Sequence, residues 1–134
     1  MLDAAQGSSL KAISLMDPVV IATATTTVSA SGKWADATQF EGYIAYLASF
    51  GTLTDTSAAT TFESSASSTG STPDSSQVAT AFLATVLAAG SPTQEYILLP
   101  ASFFVLRYVG ASVITVGAGN CPISIVAIGG LRTP

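Results

Sequence analysis

Cys121 is the only thiol in this chain, and no histidine accompanies it anywhere in the sequence. A cysteine nucleophile works as the thiolate, which needs an imidazole or a cation nearby to form at neutral pH. Cys121 stands in Gly-Asn-Cys-Pro between two apolar runs, and the sequence reads it as a small buried hydrophobe. Hydroxyls are abundant, yet a serine nucleophile also needs a base, and Lys11 and Lys33 are the only lysines. Glycosidase chemistry needs two facing carboxylates. Asp36 with Glu41, or Asp55 with Glu63, would be the pairs, but scattered acids supply such pairs in any sheet protein. Zinc ligation by Cys and His is impossible with this inventory. Gly117-Ala118-Gly119 and Gly129-Gly130 lack the lysine of a phosphate cradle and read as turns. The expectation is no enzyme, no cofactor, no metal and no small-molecule substrate.

What remains with chemical character is one arginine and a few aromatics. Arg107 interrupts an apolar run, so its stem is expected to cover neighbours while its guanidinium reaches water or a carboxylate. Glu63, Glu41 and Glu95 are the partners considered. Trp34, Tyr43, Tyr46 and Tyr108 would have to converge in space to form a sugar platform; filling a core or an interface is the commoner role of such residues. The candidates for an interface are Val19, Val20, Ile21, Trp34, Tyr43, Tyr46, Arg107 and Tyr108.

Composition narrows the class of partner. Only 9% of the 134 residues are charged, against about 25% in an average globular chain. Four basic and eight acidic side chains give a net charge of -4. No cluster of Lys and Arg exists to neutralise phosphates or anionic lipid, which disfavours nucleic acid and a polybasic membrane contact. The polar surface must instead come from Ser, Thr, Asn and Gln, whose desolvation removes no full charge from water. Such a surface suits burial against copies of itself or a larger assembly; a secreted protein with a hydroxyl-rich coat is the alternative. Residues 78–90 are apolar but too few to span a bilayer, and 97–128 is interrupted by Arg107, glycines and Pro122. Asp3 stands where a secretory leader would be basic, so no leader is expected.

The elements expected to position these residues are mostly strands. Residues 1–28 read as an N-terminal arm, weakly patterned to Leu15, broken at Asp17-Pro18, then β-branched over Val19–Val28 and open to exchange with a neighbour. Residues 29–134 read as one domain. Phe40–Phe50 has apolar groups on both alternating faces, so it reads as a central or interface strand, with a helix as the alternative. Ala58–Ser64 follows as a strand, then a polar loop over 65–76 with nothing to bury. Gln77–Ala89 leans to a helix capped by Ser75 or Ser76, with two short strands as the alternative. Glu95–Leu99, Phe103–Val109, Ser112–Val116 and Ile123–Ile128 are short β-branched runs ended by Pro100, Gly110, Gly117 and Gly129-Gly130, with a turn at Gly119-Asn120-Cys121-Pro122. The fold class is therefore mainly β, an antiparallel sandwich or barrel.

The order of features over roughly Phe40 to Pro134 resembles a family of small tailed-bacteriophage virion proteins, the capsid decoration, cement or head-spike-base proteins. The resemblance is carried by Phe40-Glu41-Gly42 opening a strand and by Thr61-Phe62-Glu63-Ser64 before a polar loop. Phe103-Phe104-Val105-Leu106-Arg107-Tyr108 and the closing Gly130-Leu131-Arg132-Thr133-Pro134 complete it. It implies an antiparallel β-sandwich of jelly-roll type on the outer face of a capsid in the virion. It also implies a homo-oligomer, a trimer by family habit, bound to the major capsid protein, with no cofactor. Neck, tail or fibre-base positions and a displayed glycan- or receptor-binding module remain open alternatives.

Overall fold

The computed structural model describes residues 10–22, 24–54, 56–74, 78–84, 93–117 and 119–132. Nine strands run in order: β1 (Leu10–Ile21), β2 (Thr26–Val28), β3 (Ala35–Asp36), β4 (Phe40–Phe50), β5 (Thr56–Ser65), β6 (Val78–Ala84), β7 (Thr93–Pro100), β8 (Tyr108–Gly117) and β9 (Cys121–Leu131). One sheet has the order β1-β9-β4-β7; the other has β2-β8-β5-β6, with β3 also pairing to β8. All pairings are antiparallel. Apart from the β5–β6 hairpin, each link between strands from β3 onward crosses from one sheet to the other, and β2 and β3 together occupy a single edge position. This is a jelly-roll sandwich.

Alternation along the strands builds the core. In β9, Cys121, Ile123, Ile125 and Ala127 are buried and alternate with half-buried Pro122, Ser124, Val126 and Ile128. Ile44, Tyr46, Ala48 and Phe50 of β4 face the same interior. Ala58 and Phe62 of β5 and Val109, Ala111 and Val113 of β8 meet them from the other sheet. Tyr46 and Phe62 lie 4.8 Å apart between ring centroids, at an interplanar angle of 41°. Cys121 sits in this core, where burial pushes its thiol pKa up, as its apolar context predicts.

Ser29 ties the two sheets at their edge. Its hydroxyl donates to the Leu15 carbonyl at 2.6 Å and accepts from the Ala111 N–H at 2.9 Å. Leu15 stands at a β-bulge, where the β1–β9 register shifts between Ser14 and Met16. A bulge leaves backbone groups out of the ladder, and Ser29 supplies a partner for one of them.

Several boundaries differ from the sequence expectation, each for a tertiary reason. Val19–Val28 is not one strand. Val19–Ile21 ends β1 in the first sheet and Thr26–Val28 forms β2 in the second, because the chain turns the sandwich corner between them. From Leu10 onward, the segment read as an arm pairs along β9 of its own chain. The helix leaned to over 77–89 is replaced over Val78–Ala84 by β6, which pairs with β5 from Glu63↔Val78 to Ala58↔Ala84. The edge of β5 takes up that segment's backbone groups, and an apolar Ala-rich run suits a strand as well as a helix. Residues 77 and 85–89 lie outside the described residues. Phe103–Val109 is also not a strand: residues 101–107 form turns and bends, and β8 begins at Tyr108. Gly110, expected to end a strand, lies within β8; Cys121 and Pro122, read as part of a turn, open β9, and Gly129-Gly130, also read as a turn, lies within it.

Candidate interaction surface

Gly110 pairs with Glu63 in the β5–β8 ladder, and an indole lies directly on it. A Cβ added there would meet Trp34 Cδ2 at 2.5 Å, and one added at Gly70 would meet Trp34 Cε2 at 2.1 Å. Trp34 is thus held between β8 and the loop over 66–74, buried to 4% exposure. Its Nε1–H donates to the Ser29 carbonyl at 3.1 Å. The loop expected to have nothing to bury therefore covers the only tryptophan of the chain. It is held by Gly32 N–H to the Ser68 carbonyl at 3.1 Å, the Ser65 hydroxyl to the Ser71 carbonyl at 2.7 Å, and Asp74 N–H to the Ser64 carbonyl at 2.8 Å. Sequence context left Trp34 as a core or interface filler; the two glycines that close over it are far from it in the chain. Its burial takes it out of any glycan platform.

Arg107 finds its carboxylate in Asp36 rather than in Glu63, Glu41 or Glu95. Its Nη2 lies 2.8 Å from Asp36 Oδ2, and its guanidinium carbon is 5.2 Å from the centroid of the Tyr108 ring. Asp36 pairs directly with Tyr108 across β3 and β8, which brings the two charges together. The same carboxylate accepts from the Thr38 N–H and hydroxyl, capping the short 3-10 turn over Ala37–Gln39. The Arg107 hydrogen bond holds the Asp36 pKa down at about 2, against partial burial that works the other way. Both arginines, Arg107 and Arg132, line an open groove at this end of the sandwich, beside exposed Val105.

The other interface candidates divide sharply. Ile21 and Tyr46 are buried in the core. Val19 and Val20 are exposed at the end of β1, above a groove shared with Ser49, Gln94 and Pro122. Tyr43 is 65% exposed and stands on the outer face of β4. It belongs to a surface that single-residue reading missed. Across the outer face of the first sheet, the register sets out three rungs: Ala12–Ile128–Ala45–Leu98, Ser14–Val126–Leu47–Tyr96, and Ser124–Ser49–Gln94. None carries a charge. Tyr96 is 66% and Leu98 54% exposed. Among the described residues, charges appear on this face only at the margin, with Glu41 beyond the β4 bulge and Asp17 at the β1 bulge, where Lys33 lies 3.2 Å from it. The available signal was the two-sided apolar character of Phe40–Phe50, repeated in β7 and β9.

Among the described residues no three His, Cys, Asp or Glu side chains come together to hold a metal, and no helix is long and apolar enough to cross a membrane. No family model matches the sequence, and no curated protein matches it. Solved structures do resemble it. A chain of the T13 particle of infectious bursal disease virus aligns with a TM-score of 0.61 and 11% identity, over 91% of this chain and 31% of that one. A mutant VP2 protein of the same virus, in derived T=1 particles, gives 0.61, 12%, 91% and 31%. The Gx strain gives 0.59, 15%, 89% and 32%. This chain therefore spans about a third of the length of those chains. At such identities the likeness is one of fold: a jelly roll of viral capsid type.

Proposed function

We propose that this chain is a non-enzymatic structural protein of a virus particle, and that it binds the outer surface of a bacteriophage capsid through the major capsid protein. There it stabilises or decorates the shell as an oligomer. The reading is supported by one observation above the others: a jelly roll of viral capsid type carries a charge-free outer sheet face, three rungs deep. Exposed Tyr43, Tyr96 and Leu98 make the apolar part of that face, and monomeric proteins rarely leave a large apolar patch uncovered. An exchanged arm would keep the β1–β9 pairing and make it between copies. Deleting residues 1–28 would remove β1 from one sheet and β2 from the other, so that deletion tests folding rather than exchange.

The experiment is quantitative mass spectrometry of purified particles, with an antibody to this chain located by electron microscopy. Stoichiometric amounts and label over the head are expected. Label confined to the neck or tail would move the chain to a connector or fibre base, and its absence from particles would overturn the proposal.

A further inference from the structure

We infer that the outer face of the β1-β9-β4-β7 sheet is covered by the same face of a second copy, the two sheets stacked about a two-fold axis. The inference deepens the oligomer part of the reading above, gives this face to a second copy and leaves the capsid contact to the rest of the surface; it is tested in solution without any particle, so either can fail alone.

Charge is the first argument. The rungs through Ala45, Leu47 and Ser49 carry no ionised group, so a partner that brought one there would leave it desolvated and unpaired. A surface as free of charge as this one is required, and the chain offers it in itself. Two-fold packing is self-complementary by construction: each patch meets its own copy. Charges lie where an interface tolerates them, at the margin, as Glu41 and the Asp17–Lys33 pair do.

Area is the second argument. Four strands spaced about 4.8 Å apart, each presenting about eight residues at about 3.4 Å rise, give a plan of roughly 500 Å². Side chains standing on it raise the accessible area above the plan. Two copies then bury on the order of 1,000–1,500 Å², which reaches the range of roughly 1,200–2,000 Å² for stable pairs. Tyr43, Tyr96 and Leu98 supply most of the exposed apolar area on the β4–β7 side, and aromatic anchors of this kind dominate interface energetics. Aligned sheets stack about 10 Å apart with side chains interdigitated. A two-fold pair of this kind replaces the three-fold arrangement implied by the phage resemblance as the first step of assembly.

The test is sedimentation equilibrium of the full chain over a broad concentration range, with Leu98→Lys and Ile114→Lys compared. Ile114 is also exposed, on the other sheet. A monomer–dimer equilibrium is expected, weakened at least about tenfold by Leu98→Lys and unchanged by Ile114→Lys. Circular dichroism checks that both variants fold. If Leu98→Lys does not fold, hydroxyl-radical footprinting of the unmodified chain decides. Tyr43 and Tyr96 must lose labelling as concentration rises while Val105 does not. A monomer at every concentration, a trimer, a dimer lost on Ile114→Lys instead, or constant labelling of the two tyrosines would overturn the inference.

Discussion

Gly110→Ala is expected to destabilise the fold through one contact, and the contact can be isolated. The new methyl would stand 2.5 Å from Trp34 Cδ2 and 2.6 Å from both Cε2 and Cε3, about 1 Å inside ordinary carbon contact. The indole cannot swing away, because Gly70 lies against its other side with a φ of +73°. Retreat would also break the Nε1–H bond to the Ser29 carbonyl, and Ser29 links β1 to β8. Overpacking of this kind costs about 1–3 kcal/mol, and the closed far side argues for about 2–3. For 134 residues that corresponds to roughly 7–10 °C in Tm. The chain has one tryptophan, so its fluorescence reports this site alone, and far-UV circular dichroism follows the sheets. Trp34→Ala removes the obstacle at its own cost of about 3–5 kcal/mol. In that background Gly110→Ala should be neutral or slightly stabilising, because alanine has less chain entropy to lose than glycine. The cycle therefore predicts a coupling of about 2–3 kcal/mol. Trp34→Leu serves if the alanine variant is too unstable, and protein concentration is held fixed because association shifts Tm. Equal cost of Gly110→Ala in both backgrounds, or a cost below about 0.5 kcal/mol alone, refutes the argument that the indole keeps Gly110 bare.

Thr60→Val should stabilise the fold by about 1 kcal/mol in urea unfolding, because the Thr60 hydroxyl is buried without a hydrogen-bond partner among the described residues and valine keeps the shape. Asp36 contributes stability that is fully present above its unfolded pKa, near 4, and is lost as pH falls through its folded value of about 2. Exposure of Arg107 lets solvent screen the pair, so its contribution is small. Asp36→Asn should therefore flatten the stability–pH curve between about pH 4 and 2 and change little else. Cys121 should resist thiol reagents in the native protein and react only on unfolding, since burial raises its pKa and withholds the thiolate; reaction at the native rate of a free thiol would show that the β9 terminus opens.

The strands with two-sided or strictly alternating apolar patterns were legible directly. β4, β7 and β9 lie where Phe40–Phe50, Glu95–Leu99 and Ile123–Ile128 were read, because period-two alternation over a β-branched run has one simple solution. The lack of histidine and the sparse charge likewise needed no coordinates to disfavour most chemistry. Local pattern could not say which glycine turns the chain and which one lies under a side chain. Gly110 looks like a strand end until Trp34, remote in sequence, is placed on it. Nor could local pattern choose between helix and strand for Val78–Ala84, since the edge of β5 made that choice. The partner of Arg107 was equally remote: Asp36 reaches it because β3 pairs with β8. Residue types and their alternation were enough to call for a charge-poor antiparallel sandwich. Which apolar residues close the core and which stay outside was settled by packing between the two sheets, because a strand with two apolar faces does not encode which face turns inward.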